Sequence, residues 1–359
     1  MNQDNANFLH VVGEPTFEAL ARYIERNNVT KILVMAGAGI SVAAGIPDFR
    51  SPHTGIYARL GKYNLNSPTD AFSITLLRER PDVFYSIVRE MDLWPGHFWP
   101  TLVHHFIKLL ADEGRLLRCC TQNIDGLERA SGLPMSFLVE AHGSFSTASC
   151  IECRSPYDIE LASRESREGK VPHCDRCGGV VKPDVVFFGE SLPDAFFNVF
   201  AEITEVELLL IMGTSLQVHP FAELAVRVRP DVPRVLFNLE RVGGAMFRFP
   251  TDEPTLNSFS RNHTGNSHSS SNSSSSSSSS SSDGYSQFAN HAADAGGICR
   301  DIFFPGDCQL SVRRLAEAMG LGERLALAVR EGEKKRESYG ACESGNTHHT
   351  HMYTLTDRK

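Results

Sequence analysis

From residue 16 to about 240 the chain alternates apolar runs of strand length with segments of helical periodicity, and this alternation limits the fold more than any single residue does. The reason is geometrical: a strand buried on both faces reads as an unbroken apolar run, and parallel neighbours need a helical crossover between them. "TFEALARYIERN" (16–27) puts Phe17, Leu20, Ala21 and Ile24 on one helical face, and "KILVMAG" (31–37) follows as a buried strand running into a glycine turn. Further strands are expected over 116–122, 136–143, 180–189, 207–213 and 234–240, with helices over 81–93, 99–112, 193–205 and 221–229. The pattern predicts an α/β protein with a doubly wound parallel sheet. Such sheets bind ligands at the carboxyl ends of their strands.

Two stretches break the alternation. Residues 144–180 are polar and too short for another strand–helix–strand unit, so they read as a small inserted module. Residues 250–297 carry "SHSSSNSSSSSSSSSSDG", a tract that cannot bury enough apolar surface to offset ordering entropy, and are expected to be a disordered insertion. "ICRDIFFPG" (298–306) then resumes the fold, a long helix is expected from Cys308, and 338–359 is expected to be a disordered tail whose His348, His349 and His351 are solvated.

The formal net charge of -8 and the absence of a long basic block argue against direct nucleic-acid binding. No run is long and apolar enough for a bilayer, and the first residues carry neither a secretory signal nor an Arg-rich leader. A cytoplasmic protein is expected, with the nucleus as the alternative. In either compartment cysteine pairs serve metals more often than disulfides.

"MAGAGISVAAGIPDFRS" (35–51) follows a strand, and a helix is expected to open within it. Gly37 and Gly39 would let backbone approach a pyrophosphate, with a helix N-terminus supplying N–H donors. Val42 stands where the dinucleotide fingerprint wants a small residue, so the dehydrogenase pattern is not matched. Asp48, Phe49 and Arg50 instead put a carboxylate, an aromatic plate and a guanidinium on one loop. An aromatic can shield a reactive sugar carbon and an arginine can grip phosphate, which suggests chemistry at a ribose and not hydride transfer.

Cys150, Cys153, Cys174 and Cys177 are spaced C-x2-C-x20-C-x2-C. Two matched pairs suit tetrahedral zinc better than a single redox pair, and four thiolates leave no open position, so one structural Zn2+ is expected. A nucleic-acid-reading ribbon would want lysines and aromatics around it, and this module has mixed charge.

The ordered motifs "GAGISVAAGIPDFR" (37–50), "TQNIDGLE" (121–128), "EAHGS" (140–144), "CIEC" with "CDRC", "KPDVVFFGE" (182–190), "GTSL" (213–216) and "NLE" (238–240) closely resemble the sirtuins, NAD-dependent protein lysine deacylases. The resemblance covers nearly all of 9–240 and resumes near 298; the serine tract and the tails lie outside it. It implies a Rossmann-like domain over 9–143 and 181–249, a zinc ribbon over 144–180, and a last strand and C-terminal helix over 298–337, with the insertion over 250–297 and the tail beyond 337 read from composition.

The same resemblance implies NAD contacts at Ala36, Gly37, Ala38, Gly39, Asp48, Phe49, Arg50 and Tyr57, with Gln122, Asn123, Ile124 and Asp125 at the nicotinamide end. It also implies contacts at Gly213, Thr214, Ser215, Asn238, Glu240 and Cys308. Catalysis falls to His142, with Asn123 and Asp125. The acetyl-lysine oxygen would attack ribose C1′ as nicotinamide leaves, and neutral His142 would then help deprotonate a ribose hydroxyl, giving free lysine and O-acetyl-ADP-ribose.

"VVFFGE" (185–190) and "SLQVHPF" (215–221) resemble the segments that clamp a substrate peptide as a middle strand, which points to Val186, Phe188, Gly189, Glu190 and Val218. Which of Val186, Phe187 and Phe188 face the channel stays open, because strand side chains alternate. Residues 55–72 resemble the deacetylase branch and lack the Tyr-x-x-Arg pair of members preferring acidic acyl groups. The expected partners are acetylated proteins, histone tails and cytoskeletal proteins among them, without nucleic acid or membrane. Two alternatives stand beside deacetylation: mono-ADP-ribosylation at the same NAD site, and a catalytically silent zinc-ribbon scaffold.

Overall fold

Strands β1 (Leu9–His10), β2 (Ile32–Ala36), β3 (Leu116–Thr121), β4 (Leu138–Glu140), β5 (Gly143–Cys150), β6 (Pro156–Tyr157), β7 (Val181–Val185), β8 (Leu208–Met212), β9 (Arg234–Asn238), β10 (Ile298–Cys299) and β11 (Asp301–Pro305) form three sheets in the computed structural model. It describes residues 9–48, 55, 60–249 and 298–343. The serine-rich segment 250–297 and the last part of the expected tail, 344–359, lie outside the described residues.

The main sheet is six-stranded and parallel, in the order β11-β9-β8-β2-β3-β4. Its chain therefore runs outward from β2 to one edge, returns beside β2 and runs outward to the other edge, which is the doubly wound Rossmann order. Alternation along each strand explains the two layers. Ile32, Val34, Ala36, Leu208, Leu210 and Met212 face one apolar cluster, while Leu33, Met35, Leu209 and Ile211 face another. All ten are buried, as an apolar strand covered on both sides requires.

The first cluster is roofed by α1 (Phe17–Arg26), α4 (Leu102–Asp112) and α9 (Cys308–Ala318). Here α1 starts where the Thr16 hydroxyl caps the Ala19 N–H. Phe17 of this helix stacks on Phe304 at 4.0 Å between ring centres. The second cluster is covered by α7 (Asp194–Glu202) and α8 (Leu224–Arg227).

A smaller lobe holds the three-stranded antiparallel sheet β6-β5-β7. Its core draws on distant stretches: α2 (Ile74–Glu79), α3 (Pro81–Met91), the short α5 (Leu127–Ala130) and α6 (Ile159–Arg167). Tyr85 donates its hydroxyl to the Val181 carbonyl at 2.6 Å, and Trp94 meets Phe145 edge-on at 5.3 Å.

Four sequence expectations change. The strand read over 180–189 is β7, and it belongs to the small antiparallel sheet and not to the parallel one. The helix expected over 81–93 packs with the zinc-ribbon segment, because Phe84, Tyr85 and Val88 are buried against Val181 and Phe187. Among the described residues no α-helix opens directly from the first glycine turn; two short 3-10 turns, Ala38–Ile40 and Val42–Ala44, stand there instead. Finally, the helix from Cys308 is two helices, α9 and α10 (Gly322–Glu343), and the second continues past the boundary read at 337. Among the described residues no helix is long and apolar enough to cross a membrane.

Candidate active site

Parallel register brings the strand ends level. Ala36 pairs with Thr121 on one side and Met212 on the other, and Thr121 pairs with Glu140. The next residues are then locked across the edge: Gly37 N–H donates to Met212 O, Gln122 N–H to Ala36 O, Ala141 N–H to Thr121 O and Gly213 N–H to Phe237 O. The loops after β2 and β8 thus meet at the point where the sheet winds in opposite directions. A cleft of ≈730 Å³ opens there, between the two lobes.

Ala38, Gly39, Asp48, Gln122, Asn123, Ile124, His142, Gly213, Thr214, Ser215, Asn238, Glu240 and Cys308 all line this cleft. So do Val186, Phe188, Gly189, Glu190 and Val218 of the expected substrate wall. Ala36, Gly37 and Asp125 stand behind the lining. Phe49, Arg50 and Tyr57 lie outside the described residues.

The glycines also make a contact that the motif did not disclose. A Cβ on Gly39 would come within 2.7 Å of Gly213 Cα, and one on Gly37 within 2.7 Å of Thr214 Cβ. The Gly39 N–H is itself donated to Gly213 O at 2.8 Å. These glycines let two loops touch, and the contact shapes the floor of the cleft.

His142 lies between β4 and β5, immediately before Gly143, whose positive φ makes the tight turn and where a Cβ would lie 1.9 Å from Asp184 O. Its Nδ1 is 3.1 Å from the Gln122 carbonyl, which can only accept. In the neutral ring Nδ1 therefore carries the proton and Nε2 keeps its lone pair. Burial lowers the His142 pKa, more than the Gln122 carbonyl raises it, so the ring is neutral near pH 7.

Asn123 is buried and donates to Gly37 O at 3.2 Å and to Ser41 Oγ at 3.3 Å. Ser41 in turn donates to Asp125 Oδ2 at 2.8 Å. Sequence reasoning missed Ser41; its only signal was a hydroxyl between glycine-loop residues that otherwise lack polar side chains. Leu239, 78% exposed, and Asp307 also belong to the cleft and were not anticipated.

Val186, Phe187 and Phe188 all line the cleft, but to different extents. Phe187 is core, 2% exposed against Phe84 and Phe72, while Phe188 is 47% exposed in the cleft wall. Lys182, buried and held by Val185 O and Glu190, sits over the Phe187 ring and fixes this wall.

The donors present fit a dinucleotide and a zinc ion. Gln122 offers a buried Nε2 with no protein partner beside Thr214 and Asn123, a donor waiting for a ligand acceptor. At the far side of the small lobe, Cys150 Sγ is 3.5 Å from Cys177 Sγ and Cys153 Sγ 3.7 Å from Cys174 Sγ. Four sulfurs on zinc at ~2.3 Å stand about 3.8 Å apart, so the cysteines need almost no movement to close a structural site.

Fold and site together define an enzyme-like cleft at the crossover of a Rossmann-type sheet, braced by a four-cysteine zinc ribbon. The chain belongs to the Sir2 family, whose model matches residues 37–220. It is 69% identical over 328 residues to the NAD-dependent protein deacetylase SIR2rp1 of Trypanosoma brucei brucei, a match covering 90% of this chain and 93% of the relative. It is 56% identical over 347 residues to SIR2rp1 of Leishmania major, with 89% and 93% covered. To the NAD-dependent protein deacetylase sirtuin-2 of Danio rerio it is 49% identical over 240 residues, covering 66% of this chain and 63% of that one.

Proposed function

We propose that the chain removes acetyl groups from protein lysines in an NAD-dependent reaction, with His142 as the general base. The observation that carries the reading is the His142 tautomer, because a neutral ring with Nδ1–H held by the Gln122 carbonyl leaves Nε2 as a proton acceptor in the cleft. When bound, NAD would supply an electrophilic ribose carbon with nicotinamide as its leaving group. His142 Nε2 accepts a ribose-hydroxyl proton. Asn123 and Gln122 orient the carboxamide and ribose, Thr214, Ser215, Asn238, Glu240 and Cys308 hold the remainder, and Asp125 acts from behind through Ser41.

Acetylated proteins enter from the wall formed by Val186, Phe188, Gly189, Glu190 and Val218. The N–H groups of Val186, Phe187 and Phe188 are donated to His142 O, Glu190 Oε2 and Phe72 O, so a substrate strand would pair through the carbonyls of this segment. Histone tails and cytoskeletal proteins are substrates of the right kind, and free cysteine thiols suit the cytoplasm or nucleus.

Mass spectrometry of an acetyl-lysine peptide, incubated with zinc-loaded protein with and without NAD, tests the reading. Loss of one acetyl group that requires NAD supports it. A gain of ADP-ribose mass on protein, or no change, overturns it.

A further inference from the structure

Behind Asp125 lies a sealed polar cluster that the reaction described above does not use. His104 on α4, Asp125 in the loop after β3 and Glu128 on α5 each bring one side-chain N or O atom within 4.8 Å of the others. His104 is fully buried and Glu128 is 1% exposed. His104 Nε2 and both Glu128 carboxyl oxygens have no hydrogen-bond partner.

The tautomer of His104 is fixed. The Thr101 N–H donates to His104 Nδ1 at 3.0 Å, so Nδ1 is an acceptor and the ring proton is on Nε2. Burial, with His105 adding to it, pulls the His104 pKa down to about 3, so the ring stays neutral. A protonated Nε2 has no lone pair for a metal, which removes the cation-site reading of this trio. It is a buried donor without an acceptor, on a ring that lies beside a pair of acids.

The groups facing Glu128 are Asp125 from the loop after β3, Cys119 and Thr121 from β3, Glu140 from β4 and His104 from α4. Glu140 is already paired with Arg129 at 2.7 Å. Two carboxyl groups so placed, with no cation of their own, hold one proton between them. Asp125 receives two donors, Ser41 Oγ–H at 2.8 Å and Leu127 N–H at 2.9 Å, whereas Glu128 has no donor within hydrogen-bond distance, and burial outweighs the weak help of the Thr121 hydroxyl and its own N–H. The proton therefore resides on Glu128.

We propose that Glu128 and His104 are positioning residues for the deacetylation site: Glu128 keeps its proton in the working enzyme so that Asp125 alone is ionised, and the neutral His104 ring, packed beside both acids, adds no charge to the pair. Both arms end on one loop. Asp125 is tied to Ser41, and Thr101, the anchor of His104, donates its hydroxyl to Ile40 O at 2.9 Å. The ionisation of Glu128 would thus put a second negative charge against Asp125 and disturb the floor of the cleft. The inference rests on the proposed deacetylase reading for its kinetic consequence, though not for its protonation states.

The test compares kcat/KM for NAD at pH 7 and pH 9 in the wild type and in Glu128→Gln, which mimics the protonated acid. With the Glu128 pKa raised by burial to about 8, the wild type loses roughly 10-fold over this interval. Glu128→Gln loses no more than about twofold, since it has no proton to give up. Equal losses in the two proteins overturn the proposal, because a purely structural role would lower stability without changing the slope.

A second measurement covers the case in which the variant does not fold. In 15N-histidine NMR of the wild-type protein without cofactor, His104 shows Nε2 protonated and its signal moves with a midpoint near pH 8, the Glu128 value. A His104 signal unchanged from pH 7 to pH 9, or one protonated at Nδ1, overturns the proposal whether or not the protein proves to be a deacetylase.

Discussion

The large lobe and the small lobe are stabilised by different means, and the difference explains what each contributes. In the large lobe the sheet itself is the scaffold: consecutive strands and helices bury their own apolar faces, and the residues just past β2, β3, β4 and β8 fall into one cleft because the register is parallel. In the small lobe the sheet has only three strands, and its core is assembled from parts that lie far apart in the chain, Ile46 with segments 60–94 and 124–187. A sheet of that size needs a packed partner and a staple, which the helices and four cysteines supply. The proposed chemistry therefore falls on the large lobe's strand ends, and the small lobe supplies one wall of the cleft.

The sharpest way to break this contrast is to remove the staple. Cys174→Ser, or prolonged chelation, should unfold the small lobe and abolish deacetylation, while the far-UV signal of the parallel sheet persists; circular dichroism with a zinc assay reads both. Retained activity in zinc-free protein would show that the small lobe stands without its metal.

The next largest effect belongs to the large lobe. His142→Ala should lower kcat on the order of 100- to 10,000-fold, the usual range for a lost general base, with zinc content and melting temperature near the wild type. A third comparison separates neighbours in the small lobe's wall. Phe187→Ala should cost about 3–5 kcal/mol in denaturant unfolding, because it empties a buried aromatic site, whereas Phe188→Ala should leave stability nearly unchanged and raise KM for the acetyl peptide.

The smallest effect expected is on the acid side of the pH–rate profile. The folded His142 pKa lies below the ordinary 6.5, so activity should hold through that value and fall only at lower pH, as the ring gains its proton. The folded state binds fewer protons there than the unfolded one, so the His142 contribution to stability is present above pH 6.5 and is lost as pH drops toward the folded pKa. A rate profile with its acid midpoint at or above 6.5 would assign that limb to another group.

The two lobes also differ in how much the sequence disclosed. The parallel sheet was legible because each strand and helix declares itself by local periodicity, and the zinc ribbon was legible because ligand spacing is a local property too. The membership of α3 in the small lobe was not, since "PDVFYSIVREM" shows that one face is buried but not against what. The reading of 180–189 as a strand of the main sheet failed for a related reason: a short apolar run does not reveal which sheet it joins. At the site, His142, Asn123 and the cleft lining were visible in motif order. Ser41, the Gly39–Gly213 contact and the acid pair behind Asp125 were not, because each depends on two loops or helices meeting in space.

The account rests on a proton acceptor carried by the large lobe's sheet edge. It is tested most directly by the single-turnover rate of acetyl loss with saturating NAD in zinc-loaded wild type and His142→Asn protein. A fall on the order of 100-fold or more in the variant, with its zinc and fold intact, is the predicted result. A variant that turns over at the wild-type rate would contradict the assignment of His142 and the tautomer argument behind it.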